Sequence, residues 1–168
     1  MTYFWRAMVT ADLAQVMHIA AQVHVGYFES QLVFAERLAL FAPGCLVAVE
    51  EGAEAILLGY GIMHPARRGA PPPLNSLLHC VVSNPDALHL HDVAMLPPAR
   101  GHGLGQALVA HMHALMRHHR LAVATLIAVH GSAPYWHASG FRACGDASPT
   151  QLVSYGEEAT YMTLPLEC

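Results

Sequence analysis

Arg100-Gly101-His102-Gly103-Leu104-Gly105 sets three glycines at alternate positions directly after Val93-Ala94-Met95-Leu96-Pro97-Pro98-Ala99. If a strand ends before the prolines and a helix starts at the last glycine, the free amides of the turn and of the first helical turn converge with the positive end of the helix dipole. Such a place binds phosphate, and glycine lets the main chain approach the anion without a side chain between them. Arg100 can add charge. Just upstream, His89-Leu90-His91-Asp92 gathers two imidazoles and a carboxylate. On a strand, side chains alternate, so His89 and His91 share one face and Leu90 and Asp92 the other. Two imidazoles at i and i+2 can pass a proton, directly or through water, and histidine titrates near neutrality. Asp92 is the competing base, or it orients a histidine or holds the loop; a packed or surface histidine pair is the plain alternative. A metal would need a third ligand at motif spacing, which is missing.

Two other phosphate motifs are excluded. A dinucleotide loop needs a different glycine spacing and an acidic residue about 20 positions on, and a Walker loop needs Gly-Lys-Ser/Thr. The chain has no lysine at all.

The elements that must position these residues follow from pattern. Tyr3 to Val9 reads as a strand, with Thr10 as N-cap of a helix over Ala11 to His24; Ser30 to Phe41 is a second helix, ended by Pro43-Gly44. Cys45 to Glu50 and Ala55 to Met63 read as an antiparallel pair across a polar turn. His64 to Pro73, with four prolines, is expected to be loop, and Leu74 to Val82 one or two helical turns. Leu88 to Leu96 is the central strand. The glycine turn, a helix to about His119 and a strand at Ala122 to Val129 complete a βαβ unit. Ser132 caps a short helix ended by Gly140, and strands are expected near Phe141 to Cys144 and Ala159 to Leu164.

The pattern R-x-x-G-x-G at Arg100, Gly103 and Gly105, behind a strand ending in Val93-Ala94-Met95 and a proline, resembles the acyl-CoA pyrophosphate loop of the GNAT superfamily of N-acetyltransferases. Gly131 to Phe141, Gly-Ser-Ala-Pro-Tyr-Trp-His-Ala-Ser-Gly-Phe, is similar to that family's late helix, which ends in an aromatic, three residues and Gly-Phe. The order of elements is similar over nearly the whole chain.

The resemblance implies a mixed α/β GNAT fold over residues 1–168 as one domain. A mostly antiparallel, twisted sheet of about seven strands would splay at the acetyl-CoA site, flanked by about four helices. It implies acetyl-CoA as donor, with Val93, Ala94 and Met95 along the pantetheine arm. Arg100, Gly101, His102, Gly103, Leu104, Gly105 and Gln106 would surround the pyrophosphate. An N–H near Met95 would stabilise the thioester oxyanion as an amine attacks, with no metal and no covalent enzyme intermediate.

His89-x-His91 is similar to the pair that arylalkylamine N-acetyltransferases use as a proton relay on amines such as serotonin and tryptamine. The family commonly has a tyrosine general acid in the late helix, and the matching position here is Trp136, which cannot donate a proton usefully. Tyr135, a water, or unassisted loss of the thiolate are the substitutes, although Tyr135 points about 100° away on a helix. The acceptor site is expected at the first two helices and the segment 64–78. There Glu29 could receive a cationic amine and Tyr27 or Phe28 could stack on an aromatic one; an ordinary amphipathic helix junction is the other reading. His130 falls one residue short of a CoA-contacting asparagine in relatives and is not assigned.

Composition agrees with one core. Of 168 residues 54% are hydrophobic and 12% charged, with mean hydropathy +0.35, which excludes disorder. The longest clean apolar run, Leu121 to Val129, is too short to span a membrane. No secretory signal is visible, so a cytoplasmic location is expected. A net charge of −4 with scattered arginines argues against nucleic acid and mildly favours a cationic acceptor. Cys45, Cys80, Cys144 and Cys168 show no C-x-x-C spacing and read as reduced thiols. Thirteen histidines are unusual, and His111, His113, His118 and His119 read as a solvated helix face.

The reading is therefore acetyl transfer to the primary amine of a small molecule, possible as a homodimer. The alternatives are acetylation of a protein α-amino group, a non-catalytic acyl-CoA sensor, and a histidine-rich metal binder.

Overall fold

The computed structural model describes residues 1–166. Strands β1 (Tyr3–Ala7), β2 (Cys45–Glu50), β3 (Leu57–Ala66), β4 (Ala87–Met95), β5 (Val123–Ala128), β6 (Arg142–Ala143) and β7 (Thr160–Pro165) form one seven-stranded sheet in the order β1-β2-β3-β4-β5-β7-β6. Every neighbouring pair is antiparallel except β4 and β5, the strands of the βαβ unit. Among the described residues five helices accompany the sheet: α1 (Leu13–Val23), α2 (Gln31–Leu40), α3 (Leu104–His119), α4 (Ala133–Ala138) and the single turn α5 (Pro149–Leu152), which the sequence reading missed. The mixed α/β fold expected from the sequence is the one observed.

Helices α1 and α2 cover one face of the sheet. Leu13, Val16 and Ile19 of α1 recur at helical spacing and pack with Val33 and Phe34 of α2 on Val47, Tyr60 and Ile62. On the other face, Leu108, Met112 and Met116 of α3 pack with Trp136 and Phe141 on Leu88, Leu90 and Leu126. A short 3-10 turn precedes α1, and its capping group is not the Thr10 hydroxyl but the Asp12 carboxylate, which accepts from the Val9 N–H at 2.8 Å and pairs with Arg6.

Two further expectations need correction. His64, Pro65 and Ala66 continue β3 rather than opening a loop, with His64 opposite His89. An edge of β3 next to the hydrogen-bonded β4 tolerates the proline because its missing N–H faces away from the ladder. Residues 74–82 form turns, not helix; their amides are held by carboxylates of other elements, described below. Among the described cysteines none is bridged; Cys45 is buried, Cys80 exposed and Cys144 half-buried, and Cys168 lies outside the described residues. His118 and His119 are exposed, but His111 is half-buried and its ring bonds the Pro43 carbonyl at 2.9 Å. No helix among the described residues is long and apolar enough to cross a membrane.

The site is made by two irregularities in β4. Ile62 pairs with Asp92 but Met63 pairs with Leu90, so His91 is an extra, bulged residue. Beyond Leu90, β4 and β5 no longer pair: their ladder covers only Ala87–Leu90 against Val123–Leu126. The bulge bends β4 away and the two strands splay.

Candidate active site

The splay opens a cleft of about 960 Å³ that runs from the start of α3, between β4 and β5, to the α1–α2 connection. Its near end is the glycine turn. Gly101 and Gly103 have φ of +78° and +79°, left-handed values that favour glycine, and Gly103 stands at the N-cap of α3 with no side chain capping the helix. The first-turn amides are therefore free to bind an anion.

Arg100, Gly101, Gly103, Leu104, Gly105 and Gln106 all border the cleft. His102 does not: its ring packs on Tyr3, centroids 4.5 Å apart, in a separate hollow on the far side of the turn. The Arg100 Nε donates to the Met95 carbonyl at 3.0 Å, so this side chain also closes the turn onto β4.

Val93, Ala94 and Met95 line the middle. Leu96 N–H donates to Leu58 of β3 at 2.8 Å, so by strand alternation Val93 and Met95 turn their main-chain groups to the open side. Their carbonyls confirm this, taking His24 and Arg100 rather than β3.

Asp92 departs from the simple alternation. The bulge reverses the parity of β4, so His89, His91, Asp92 and Ala94 all meet the α1–α2 side while Leu88 and Leu90 meet α3. Asp92 thereby joins His24, at the C-cap of α1, at 2.8 Å, and accepts the Tyr60 hydroxyl at 2.6 Å. His24 Nε2 faces both the Asp92 carboxylate and the Val93 carbonyl, at 3.1 Å. Both are acceptors, so Nε2 carries the proton and Nδ1 is left as a base. Burial opposes charge on His24, but Asp92 outweighs it and the imidazole titrates above its ordinary range. Burial alone would raise Asp92; the bonds from His24 and Tyr60 outweigh it and hold the carboxyl below the usual carboxylate range. Burial and Asp92 together push the Tyr60 phenol well up, so it stays a donor.

A second carboxylate–imidazole pair lies beside the first. His91 Nε2 is 2.8 and 3.0 Å from the two Glu29 oxygens, and the Asn75 N–H donates to Glu29 at 2.9 Å. Both residues are buried yet border the cleft. His89 is behind them, 2% exposed and off the cleft, with Nδ1 2.8 Å from the Thr125 hydroxyl. Burial, then the neighbouring His64, depress its titration far below the ordinary range, so a direct His89–His91 relay opening on the cleft is not what the geometry provides. Tyr27 borders the cleft, with its ring against His130, centroids 4.4 Å apart; Phe28 is 71% exposed and faces away, because the short connection between α1 and α2 turns only alternate side chains inward.

The Tyr135 hydroxyl stands over the first turn of α3: a methyl on Gly105 would come within 2.1 Å of it. Its hydroxyl is thus at the glycine end of the cleft. Trp136, one residue on, is buried against Phe141 and walls the middle.

The sequence reading missed His24, Tyr60 and His64. Tyr60 and His64 sit at strand spacing from Ile62, but His24 had no local signal, since its partner is 68 positions away.

A splayed parallel pair beside an uncapped, glycine-started helix is the architecture of an acyl-CoA-dependent acyltransferase. The sequence profile of the Acetyltransferase (GNAT) family matches residues 13–141. The chain belongs to that family. No curated protein sequence matches it significantly. Among solved structures it is similar to the GphF GNAT-like decarboxylase in complex with isobutyryl-CoA, with TM-score 0.74, 17% identity, and 98% of this chain and 100% of that one covered. It is also similar to Ard1 from Thermoplasma volcanium, with TM-score 0.72, 13% identity and full coverage of both chains. A third is the ribosomal-protein-S18-alanine N-acetyltransferase from Escherichia coli, with TM-score 0.65, 19% identity, and 99% and 96% coverage. At these identities the likeness speaks for the fold alone.

Proposed function

We propose that the protein transfers the acetyl group of acetyl-CoA to the primary amine of a small molecule. The observation that carries this reading is the position of the His24–Asp92 pair on the same cleft as the free amides of α3. The pyrophosphate lies on the backbone of Gly101 to Gln106, with the Tyr135 hydroxyl beside it. The pantetheine arm follows the open edge at Val93 to Met95 and brings the thioester towards Asp92.

The amine arrives as ammonium and is drawn to Glu29. His24 Nδ1 takes its proton, with Asp92 stabilising the imidazolium that forms. The amine nitrogen then attacks the thioester carbon; the Met95 N–H meets the developing oxyanion; the C–S bond breaks, CoA leaves as thiolate, and the second proton of the attacking nitrogen passes to that thiolate through water. A thiol of pKa about 8.5 leaves without a general acid at position 136.

A small acceptor is supported by how the far end is walled. Leu74 and Tyr155 border it, and the segment carrying Leu74 is bonded on both sides. Glu36 takes the amides of Leu78 and His79 at 2.7 and 2.8 Å, Ser154 that of Leu74 at 3.0 Å, and the Tyr155 hydroxyl donates to Pro72 at 2.7 Å. A segment so fixed leaves little room for a peptide.

The test is acetyl-CoA-dependent release of free thiol over aryl amines, polyamines, aminoglycosides and peptides, beside calorimetric titration of CoA. Turnover confined to small amines is expected. Preference for peptides would move the assignment to an N-terminal acetyltransferase, and CoA binding without any turnover would make the protein a sensor.

A further inference from the structure

Behind the cleft, three imidazoles from adjacent strands form a triangle. The His64 and His89 ring centroids are 5.5 Å apart, His64 and His91 6.2 Å, and His89 and His91 6.3 Å. Each ring has one assigned partner, and those partners fix where the protons are. His64 Nδ1 faces the Pro65 carbonyl at 3.0 Å, which can only accept, so the proton is on Nδ1 and Nε2 is a bare acceptor. His91 Nε2 faces the Glu29 carboxylate, so Nε2 carries a proton, and in the neutral ring Nδ1 is a bare acceptor. Both bare nitrogens are fully buried with no partner among the described residues. Two bare acceptors on neighbouring rings, whose centroids are 6.2 Å apart, need a partner bringing two hydrogens, and a buried acceptor left alone is costly.

We infer that His64 is a positioning residue: one buried water donates a hydrogen to His64 Nε2 and the other to His91 Nδ1, locking His91 as the Nε2–H tautomer that orients Glu29. The inference deepens the proposed function, since it rests on Glu29 being the group that receives the amine. His91 bonded through Nε2–H fixes where the Glu29 carboxylate points; a ring turned the other way would not. The other titratable groups in electrostatic contact with His91 are Asp92 and His89, and neither offers a hydrogen to Nδ1. Burial holds His64 down to about 3, so it stays neutral and serves as acceptor throughout the working range.

The experiment is a long-range proton–nitrogen spectrum of histidine-labelled protein at pH 7, on the wild type, His64→Phe and His64→Gln. The wild type is expected to show His91 as a single Nε2–H tautomer. In His64→Phe the water is free to turn and accept from Nδ1, so the single tautomer is lost. The KM for the amine then rises about tenfold while kcat stays within about twofold. His64→Gln places an oxygen near the lost nitrogen and restores both properties, which a purely structural role would not distinguish. A proton on His91 Nδ1 in the wild type, or the same tautomer in the Phe and Gln variants, overturns the inference. The ring spectrum is read without acceptor, so failure to acetylate any amine counts against the proposed function alone.

Discussion

His24 Nε2 stands 2.8 Å from Asp92 Oδ1, which ties the C-cap of α1 to the bulged stretch of β4. The contact exists because the bulge at His91 returns Asp92 to the α1 side of the sheet. Its carboxylate and the Val93 carbonyl together force the His24 proton onto Nε2 and leave Nδ1 free. His24→Gln keeps a donor to Asp92 but removes the base, so kcat should fall about 10²- to 10³-fold. Calorimetric CoA affinity should stay as in the wild type. A kcat within a few-fold of the wild type would remove His24 from the chemistry.

Tyr135 is expected to act on the donor's phosphates and not on its thiolate. With its hydroxyl over Gly105, Tyr135→Phe should raise the KM for acetyl-CoA several-fold at unchanged kcat, about 1 kcal/mol of a single hydrogen bond. The same variant should treat S-acetyl-pantetheine, which lacks the pyrophosphate, like the wild type. A collapse of kcat with both donors would instead make Tyr135 the general acid.

Glu29 holds the Asn75 amide, bonds His91 Nε2 and faces the cleft. Glu29→Gln retains an acceptor for Asn75 and removes the charge, so the KM for a cationic amine should rise about tenfold, roughly 1.4 kcal/mol. A neutral competitive inhibitor should bind both forms alike. Equal losses for the charged and the neutral ligand would show that the substitution acts through the fold.

Arg37 is fully buried, with Nη1 on Glu36 at 2.6 Å and Nη2 on the Ser76 carbonyl at 3.1 Å. Glu36 is only half-buried, so losing this charged, hydrogen-bonded pair costs about 1.5–3 kcal/mol. Arg37→Ala should lower denaturant stability by that order and speed amide exchange at Leu78 and His79, whose anchor Glu36 it steadies. Unchanged exchange there would mean that the segment is held by its C-terminal contacts alone.

Much of this was legible in the sequence, and the exceptions have a common cause. The glycine turn, the βαβ unit and the antiparallel β2–β3 pair are local patterns, and each formed where its residues required, whereas the antiparallel order of the other strands came with the family resemblance. The face that Asp92 occupies was not legible, because a bulge is a property of two strands in register and alternation within one strand cannot reveal it. His64 was hidden for a related reason: Pro65 marks a loop when read alone, but its position in β3 is set by pairing with Leu88. Residues 74–79 looked helical by composition and are instead drawn out by Glu29 and Glu36, carboxylates about forty residues earlier.

The His24–Asp92 pair also governs the response to pH. His24 is raised above its ordinary value, so its contribution to stability is fully present below about 6.5 and is lost as pH climbs through the raised value. Asp92 is lowered, so its contribution is present above about 3.9 and is lost as pH falls through the lowered value. The pair therefore stabilises the fold most between those limits.

The same logic gives the most direct test, the pH dependence of kcat/KM in the wild type and in Asp92→Asn. The base must be neutral to act, so the wild-type acidic limb should lie above the ordinary imidazole range. Asparagine removes the carboxylate that raises it, so the limb should move to lower pH while the plateau drops about 10²-fold or more. An acidic limb unmoved by the substitution would contradict the assignment of His24 and Asp92 as the proton-accepting pair.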